Sequence, residues 1–527
     1  MRRGRFLAAA LALAALLALL PACGPGDGKV AGVTVNYGIS NPWDSLMPYN
    51  SISGSNYARM IYDKLYDRLA YVHADGRLSP RAAKSWEGSE DGHTALFHLD
   101  EKSAFHDGTP VTAEHWVETF TLMTDPACPV LGRGNFSVFT GTDQDGCRVA
   151  GETFGVEAVD EYTLKFTFRD PTTPEDFLLN KNREFYVLPT HLLEGEDPAG
   201  LMELEFWKAP VGSGPCRFLE EVPGSRLTLA ANPDYQLGRP GFDKLVITVM
   251  DKSNLLTALI AGDMDYYAIG GNITTENASL AESSGLTVLK GTVPNTFFEL
   301  MLNAERIPDA RVRRAIELAL DKELLCEQST HGLGRPAGSS LSPEGPYAAA
   351  AEPAGARDVE GARSLLAEAG YDGRSYTLVC TSNRAGLAAL MQQNLAEAGV
   401  NVTIETVDSA AMFAGMADGT YDLGIASHTP AALPLWFTEP RLSETNNLFH
   451  IADLTPYSQR IQAIRAETDV DKRVELVAEL DAYLAQERPF IPMWFGTALH
   501  VQSPTVANID YPSASFSNEN VWEWVKE

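Results

Sequence analysis

Between Tyr376 and Ala426 the hydrophobic pattern alternates between strand and helix, and this stretch limits the possible folds more than any other. Tyr376 to Cys380 is a short β-prone run, and Leu387, Leu390, Met391 and Leu395 then recur at helical spacing before Gly399. Val400, Val402 and Ile404 alternate as a strand, Met412, Phe413 and Met416 mark a short helix, and Tyr421 to Ala426 is strand-like again. A βαβαβ run needs crossover helices, so its strands are parallel and its sheet is covered on its faces. Such sheets hold ligands outside the carboxyl ends of their strands. That singles out two polar loops, Thr381-Ser382-Asn383-Arg384 and Ser427-His428-Thr429-Pro430.

The first half of the chain carries a comparable unit. Leu245 to Met250 is predicted as a strand, Ser253 as the cap of a helix through Ile260, and Asp265 to Ile269 as strand-like. The turns Gly262-Asp263-Met264-Asp265 and Gly419-Thr420-Tyr421-Asp422 both lead from a helix into a strand. Further helices follow Asp309 and Asp358, which are placed as N-caps, and one carrying Val474, Val477, Leu480 and Leu484 halts at Arg488-Pro489. Two similar halves in 527 residues suggest two facing lobes, with no short repeat or long linker between them.

With 41 basic and 70 acidic residues the formal charge is −29, which argues against a nucleic-acid binder. The N-terminus says where the chain works. Met1-Arg2-Arg3-Gly4-Arg5 is basic, and Phe6 to Leu20 is an unbroken apolar run, shorter than the roughly 20 residues a spanning helix needs. Leu20-Pro21-Ala22-Cys23 resembles a bacterial lipobox, so residues 1–22 are expected to be a cleaved signal peptide. Cys23 would carry the lipid and 23–32 would be a tether. Cleavage removes Arg2, Arg3 and Arg5 but no acid, and takes the formal charge to −32. The expected location is the outer face of a bacterial cytoplasmic membrane. Cys128 and Cys147 flank a turn-rich segment and are the candidate disulfide in that oxidising setting. Cys216, Cys326 and Cys380 have no evident partners, and no CxxC is present.

Catalytic signatures are missing. No G-x-S-x-G elbow, H-E-x-x-H helix or phosphate-binding G-x-x-x-x-G-K-[ST] loop occurs, and the ten histidines are scattered without metal-ligand spacing. Seventy carboxylates leave a glycosidase-type pair open, but nothing promotes one above background.

Three collinear blocks resemble family 5 of the extracytoplasmic solute-binding proteins, the dipeptide- and oligopeptide-binding lipoproteins of ABC importers. The first runs from Phe97-His98-Leu99 through Phe105-His106-Asp107-Gly108-Thr109-Pro110 to Glu114, with His115 where the family usually has Asp. The second is Pro210-Val211-Gly212-Ser213-Gly214-Pro215, followed by Asn232-Pro233-Asp234-Tyr235 and Phe242-Asp243-Lys244. The third joins Asn303 to Asp309-Ala310-Arg311-Val312-Arg313-Arg314-Ala315 and Ala319-Leu320-Asp321-Lys322. Most of these residues are expected to be architectural. Asp107 to Pro110 form a turn, Gly212 and Gly214 permit tight backbone, and Arg311, Arg313 and Arg314 sit on a solvated helix face.

The resemblance implies an α/β fold, a two-lobed periplasmic-binding-protein clamshell whose first lobe is enlarged by an extra subdomain. Lobe I would be 33–290 plus 497–527 with the subdomain near 70–200, and lobe II 291–496. The hinges would fall near 288–296 and 492–500. It further implies capture of a small solute, first of all a peptide, and its delivery to ABC permease subunits by a lipid-anchored monomer. Neither a cofactor nor a metal, a catalytic residue nor a nucleic-acid partner is expected. Peptide-binding members carry a G-W-x-x-D-Y-x-D-P-type segment after the last strand of lobe II, and its aspartate pairs with the peptide's α-amino group. Here the chain reads Ser427-His428-Thr429-Pro430-Ala431-Ala432-Leu433-Pro434-Leu435-Trp436, with no acid before Glu439. A buried ammonium without a counter-charge is costly. The alternative is therefore a non-peptide solute (an oligosaccharide, an opine-like acid or a metal chelate), with an exported hydrolase as the third possibility. The residues expected to meet the ligand are Asn383, Arg384, Ser427, His428 and Trp436 in lobe II, and Tyr49, Ser53, Asn56, Gly271 and Asn272 in lobe I. Arg384 would clamp a carboxylate, and Trp436 and Phe437 would stack on a sugar or a side chain.

Overall fold

The computed structural model describes residues 32–49, 56–73, 76–267, 273–291, 293–344, 347–428, 430, 441–443, 446–510 and 520–527. The expected βαβαβ run is present. Strand Ser375–Thr381 leads to helix Ala385–Ala398, strand Asn401–Val407, helix Ser409–Ala417 and strand Leu423–His428. Ser375–Thr381 pairs in parallel with both of the other strands. The spatial order is thus second, first, third. Three antiparallel strands, Thr296–Leu302, Phe490–Gly496 and Gly334–Pro336, complete a six-stranded sheet.

A seven-stranded sheet has the same parallel core. Thr34–Ile39 lies between Lys244–Val249 and Tyr266–Tyr267, parallel to both, again second, first, third. In each core an aspartate at the start of the third strand holds the first. Asp265 accepts a hydrogen bond from the Asn36 amide at 2.7 Å and another from Lys526 Nζ at 2.7 Å. Asp422 accepts from the Thr377 amide at 2.7 Å and from Arg306 Nε at 2.6 Å. Asn36 and Thr377 are each the third residue of their strand. The two helix-to-strand turns legible in the sequence therefore end in the same device, a buried carboxylate bridging non-sequential strands.

A separate four-stranded antiparallel sheet, in the order Ala83–Gly88, Thr94–Leu99, Thr163–Thr167, Val156–Asp160, packs against helix Ala113–Met123. Phe97, Phe120, Phe139, Phe166, Phe177 and Phe185 are buried together in its core. The signature motifs join this part to the seven-stranded sheet. His106 donates its backbone N–H to the Gly212 carbonyl at 2.8 Å and accepts the Gly212 amide on Nδ1 at 3.1 Å. Gly212 lies so close to helix Asn56–Leu65 that a Cβ would come within 1.9 Å of the Leu65 carbonyl oxygen, so only glycine fits. His115 does the work of a capping acid, accepting the Thr112 amide on Nδ1 at 3.2 Å.

Three expectations are corrected. Arg313 is not on a solvated face. It is 5% exposed and donates to the Glu487, Ile307 and Pro308 carbonyls, because the end of helix Val470–Glu487 covers it. The cap before helix Leu255–Ala261 is Asp251, which accepts the Ser253 amide at 2.8 Å through an intervening turn of 3-10 helix, and not Ser253 itself. Cys128 and Cys147 are free thiols. Cys128 is fully buried, which pushes its thiol up to about 11, while Cys147 Sγ accepts from Arg133 at 3.1 Å.

Replacing Asp265 or Asp422 with alanine is expected to cost about 1–3 kcal/mol each, since an amide and a cation lose their shared acceptor. Urea denaturation measures this, and a loss below about 0.5 kcal/mol at both positions would contradict the bridging role.

Candidate functional site

The chain passes between the two large sheets twice. It leaves the seven-stranded sheet after Thr287–Lys290 and enters the six-stranded one at Thr296, then returns between Phe490–Gly496 and Leu499–Gln502. The crossing segments are tied together, with the Gly291 amide donating to the Ala498 carbonyl and the Asn295 amide to the Gly496 carbonyl, both at 2.9 Å. Phe297, at the entry, pairs with His428, the last residue of its strand. Leu499, at the return, lies beyond the carboxyl end of Tyr266–Tyr267, whose partner is Gln502. The carboxyl edges of both parallel cores therefore lie where the chain crosses. In a second, first, third order the crevice opens between the first and third strands, the topological switch point.

At the switch point of the six-stranded sheet, Ser375–Thr381 and Leu423–His428 pair only at Leu378 with Leu423 and at Val379 with Gly424. Beyond that they separate, and Arg384 fills the gap. Its Nη1 donates to the Ile425 carbonyl at 2.8 Å, its Nη2 donates to Ser427 Oγ, and its guanidinium lies 5.1 Å from the centre of the Phe298 ring. Phe298 is in turn stacked on Trp494 at 4.9 Å. The side chain is half-buried, and burial lowers its pKa. Asn383 is exposed and accepts from Thr381 Oγ1 at 2.6 Å, which shapes the loop.

The opposite face of the same edge holds a second group. Glu299, alone among the apolar residues of Thr296–Leu302, is fully buried and pairs with Arg441 at 2.6 Å. Burial raises the Glu299 carboxyl, and Arg441 opposes that rise. His428 Nε2 lies 3.8 Å from Glu299 Oε1, and the His428 ring packs on Phe297. Burial, then Arg441 and Arg384, pull the imidazole down to about 3, so it is neutral at ordinary pH.

At the switch point of the seven-stranded sheet the groups are hydroxyls. Ser40 Oγ and Tyr57 Oη share a hydrogen bond at 2.6 Å, and the buried Tyr267 hydroxyl lies near both. None of these three was singled out in the sequence, because each is an ordinary residue at the end of an element.

The remaining expectations divide clearly. Tyr49 belongs to the core and not to an open cleft. It is 4% exposed, its hydroxyl donates to the Tyr186 carbonyl at 2.7 Å and accepts the Tyr186 amide at 2.9 Å, so both its polar valences are satisfied internally. Trp43, a few residues earlier in the same segment, is also buried, with Nε1 donating to Glu221 at 2.7 Å. Asn56 opens helix Asn56–Leu65. Ser53, Gly271, Asn272, Trp436, Phe437 and Cys23 lie outside the described residues. Among the described residues no group of His, Cys, Asp or Glu is placed to hold a metal.

One further contact joins the parts. Arg473, on helix Val470–Glu487, donates Nε to the Glu467 carbonyl at 2.8 Å and pairs through Nη1 with Asp176 on helix Pro174–Asn180. Both side chains are largely buried, at 5% and 14% exposure. This ion pair links the part built on the six-stranded sheet to the part carrying the four-stranded one.

Because His428 is neutral when folded and titrates near 6.5 when unfolded, the unfolded state binds the extra proton between those values. Stability is therefore lost as pH falls from about 6.5 toward 3. Replacing His428 with Gln should make the slope of unfolding free energy between pH 6.5 and 4.5 shallower, by up to about 1.4 kcal/mol per pH unit. Denaturant titrations at several pH values measure the slope, and an unchanged slope would contradict a buried neutral imidazole.

Comparison with known proteins agrees with this architecture. The family model described as bacterial extracellular solute-binding proteins, family 5 Middle, matches residues 77–448. The periplasmic oligopeptide-binding protein OppA of Salmonella typhimurium is 25% identical over 478 residues, covering 84% of this chain and 83% of that protein. The nickel-binding periplasmic protein of Escherichia coli is 23% identical over 488 residues, covering 88% and 89%. The crystal structure of the ABC transporter substrate-binding protein CtaP of Listeria monocytogenes superposes with a TM-score of 0.79 at 22% identity, covering 94% of this chain and 99% of that one. Among the described residues no helix is long and apolar enough to cross a membrane. The chain belongs to family 5 of the bacterial extracellular solute-binding proteins.

Proposed function

We propose that this protein is the capture component of an ABC importer, binding a small solute between two lobes and presenting the bound form to membrane permease subunits. The observation that carries the reading is the placement of two switch points, one in each large sheet, on the edges joined by the crossing segments. A solute reaching both edges favours the arrangement in which it touches both, and closure follows from that differential affinity. Lobe I is taken as 33–290 plus 497–527, with its subdomain near 70–200, and lobe II as 291–496, which agrees with sheet membership.

In this reading the protein is a monomer with no chemical step of its own, tethered by lipid on Cys23 to the outer face of the cytoplasmic membrane after removal of residues 1–22. Peptide is the first ligand class, supported by the oligopeptide-binding relative. A non-peptide solute is the second, supported by the nickel-binding relative and by the absence of an acid between Ser427 and Trp436.

The test is to purify the processed chain, unfold it, and identify by mass spectrometry the small molecules released. The expected result is a solute at roughly one per chain that raises the melting temperature when added back to refolded protein. Time-dependent turnover of that solute, abolished by a single carboxylate substitution, would overturn the reading in favour of a hydrolase.

A further inference from the structure

Helices Pro174–Asn180 and Val470–Glu487 belong to different hydrophobic cores. Phe177 and Leu178 fasten the first to the phenylalanine-rich core, whose buried members all fall within 33–290 or 497–527. Val477, Leu480 and Leu484 fasten the second to a core whose buried members all fall within 291–496. Each helix therefore moves with its own lobe. A side-chain contact between the two is made or lost when the lobes turn about the crossing segments.

Arg473 and Asp176 make that contact, and neither is explained by its own helix. Arg473 is the fourth residue of Val470–Glu487, just after the N-cap Asp469 and Asp471, where the helix dipole disfavours a cation. The Glu467 carbonyl accepts from Nε at 2.8 Å and from Nη2, which leaves Nη1 for Asp176. Asp176 is the third residue of its helix, and the cap there is Thr173, whose Oγ1 accepts the Asp176 amide at 3.2 Å. The Asp176 carboxylate is therefore not needed as a cap. Tyr347 of lobe II, 7% exposed, lies beside both charges and shelters them. Burial raises the Asp176 carboxyl and Arg473 opposes that rise, so each charge depends on the other where it stands. By contrast Arg306, Arg314, Arg335, Arg357, Arg363 and Arg488 all pair with acids inside lobe II.

We propose that the Arg473–Asp176 pair is a latch between the lobes, formed when they touch and released when they part, and that it favours the touching arrangement before any solute arrives. This deepens the capture reading and rests on its division into lobes. Parting the lobes returns both charges to water together, so the latch opens reversibly. Losing one partner is different. The other charge is then buried and unpaired in the touching arrangement alone, and the lobes part to solvate it. Such a latch sets affinity from outside the cleft, because a solute binds in proportion to the fraction of molecules already in the competent arrangement.

The experiment is solution X-ray scattering of the processed full-length chain, freed of solute by unfolding and refolding, with urea denaturation alongside. Arg473→Gln and Asp176→Asn should each enlarge the radius of gyration, the ratio of touching to parted molecules falling roughly 10-fold or more. The double variant leaves no unpaired charge and should scatter closer to the native chain than either single variant does. A purely local Arg473, bracing its own helix on the Glu467 carbonyl, would instead lower the urea midpoint in Arg473→Gln alone and leave every radius alike. That result overturns the latch, and so does a double variant no closer to native than the single ones. Should Arg473→Gln fail to fold, Asp176→Asn decides by the same radius, which must rise. The capture reading is judged separately, by compaction of the native chain when the small molecules released on unfolding are added back. Compaction with unaltered solute-free radii keeps that reading and overturns the latch. Enlarged solute-free radii without compaction keep the latch and count against capture.

Discussion

A buried aspartate at the entrance to the third parallel strand is the interaction on which each central sheet depends. Asp265 and Asp422 both reach across to a backbone amide of the first strand, and both are held by a cation, Lys526 or Arg306. The third strand is not adjacent to the second, so the chain must cross over the first to place it. A specific bond at the amino end of the pair fixes that placement while leaving the carboxyl ends to diverge. Divergence there makes the crevice. In the six-stranded sheet two residue pairs are enough to hold Ser375–Thr381 against Leu423–His428, and Arg384 occupies the space that opens. The same order in both sheets, facing the same pair of crossing segments, turns two ordinary α/β cores into two halves of one binding protein.

Much of this was legible in the sequence, for a physical reason. Period two and period 3.6 are set by backbone geometry, so the run from Tyr376 to Ala426 declared its elements, and parallel connectivity followed from the helices between the strands. The loops carrying Arg384 and His428 were found by the same logic. The antiparallel strands flanking the cores were harder, because their partners are distant in the chain and period alone gives no register. Glu299 illustrates the limit. A lone acid in Thr296–Leu302 signals a buried charge needing a partner, but nothing local names Arg441 as that partner. Tyr49 shows the reverse error. An aromatic residue with a hydroxyl, just before a helix, suits a cleft wall and a core equally, and a bond to the backbone of Tyr186 decided it. Arg313 was misplaced because helical period assigns a face, and a later helix came to cover that face.

Charge acts differently at the surface and at the site. The excess of acidic residues argues against polyanionic partners, and most basic side chains are absorbed in local ion pairs. Exposed pairs of that kind add little stability. Two cations outside this pattern bear on the fold. Arg384 pairs with no carboxylate of the described residues, and Arg473 pairs with one in another part of the fold, Asp176, where both are sheltered from water. The first braces the split between the parallel strands at the edge of the six-stranded sheet. The second bears on how the parts are held while recognition occurs, since a buried pair that loses its partner leaves an uncompensated charge.

Solution X-ray scattering of the processed chain, with and without saturating solute, tests the central claim most directly, that a solute is held between two bodies joined by the segments at 291–295 and 497–498. The account predicts a smaller radius of gyration with solute bound and an unchanged mass, the signature of two lobes drawing together in a monomer. An identical scattering profile with the site demonstrably filled, or undiminished affinity in either isolated lobe, would contradict it.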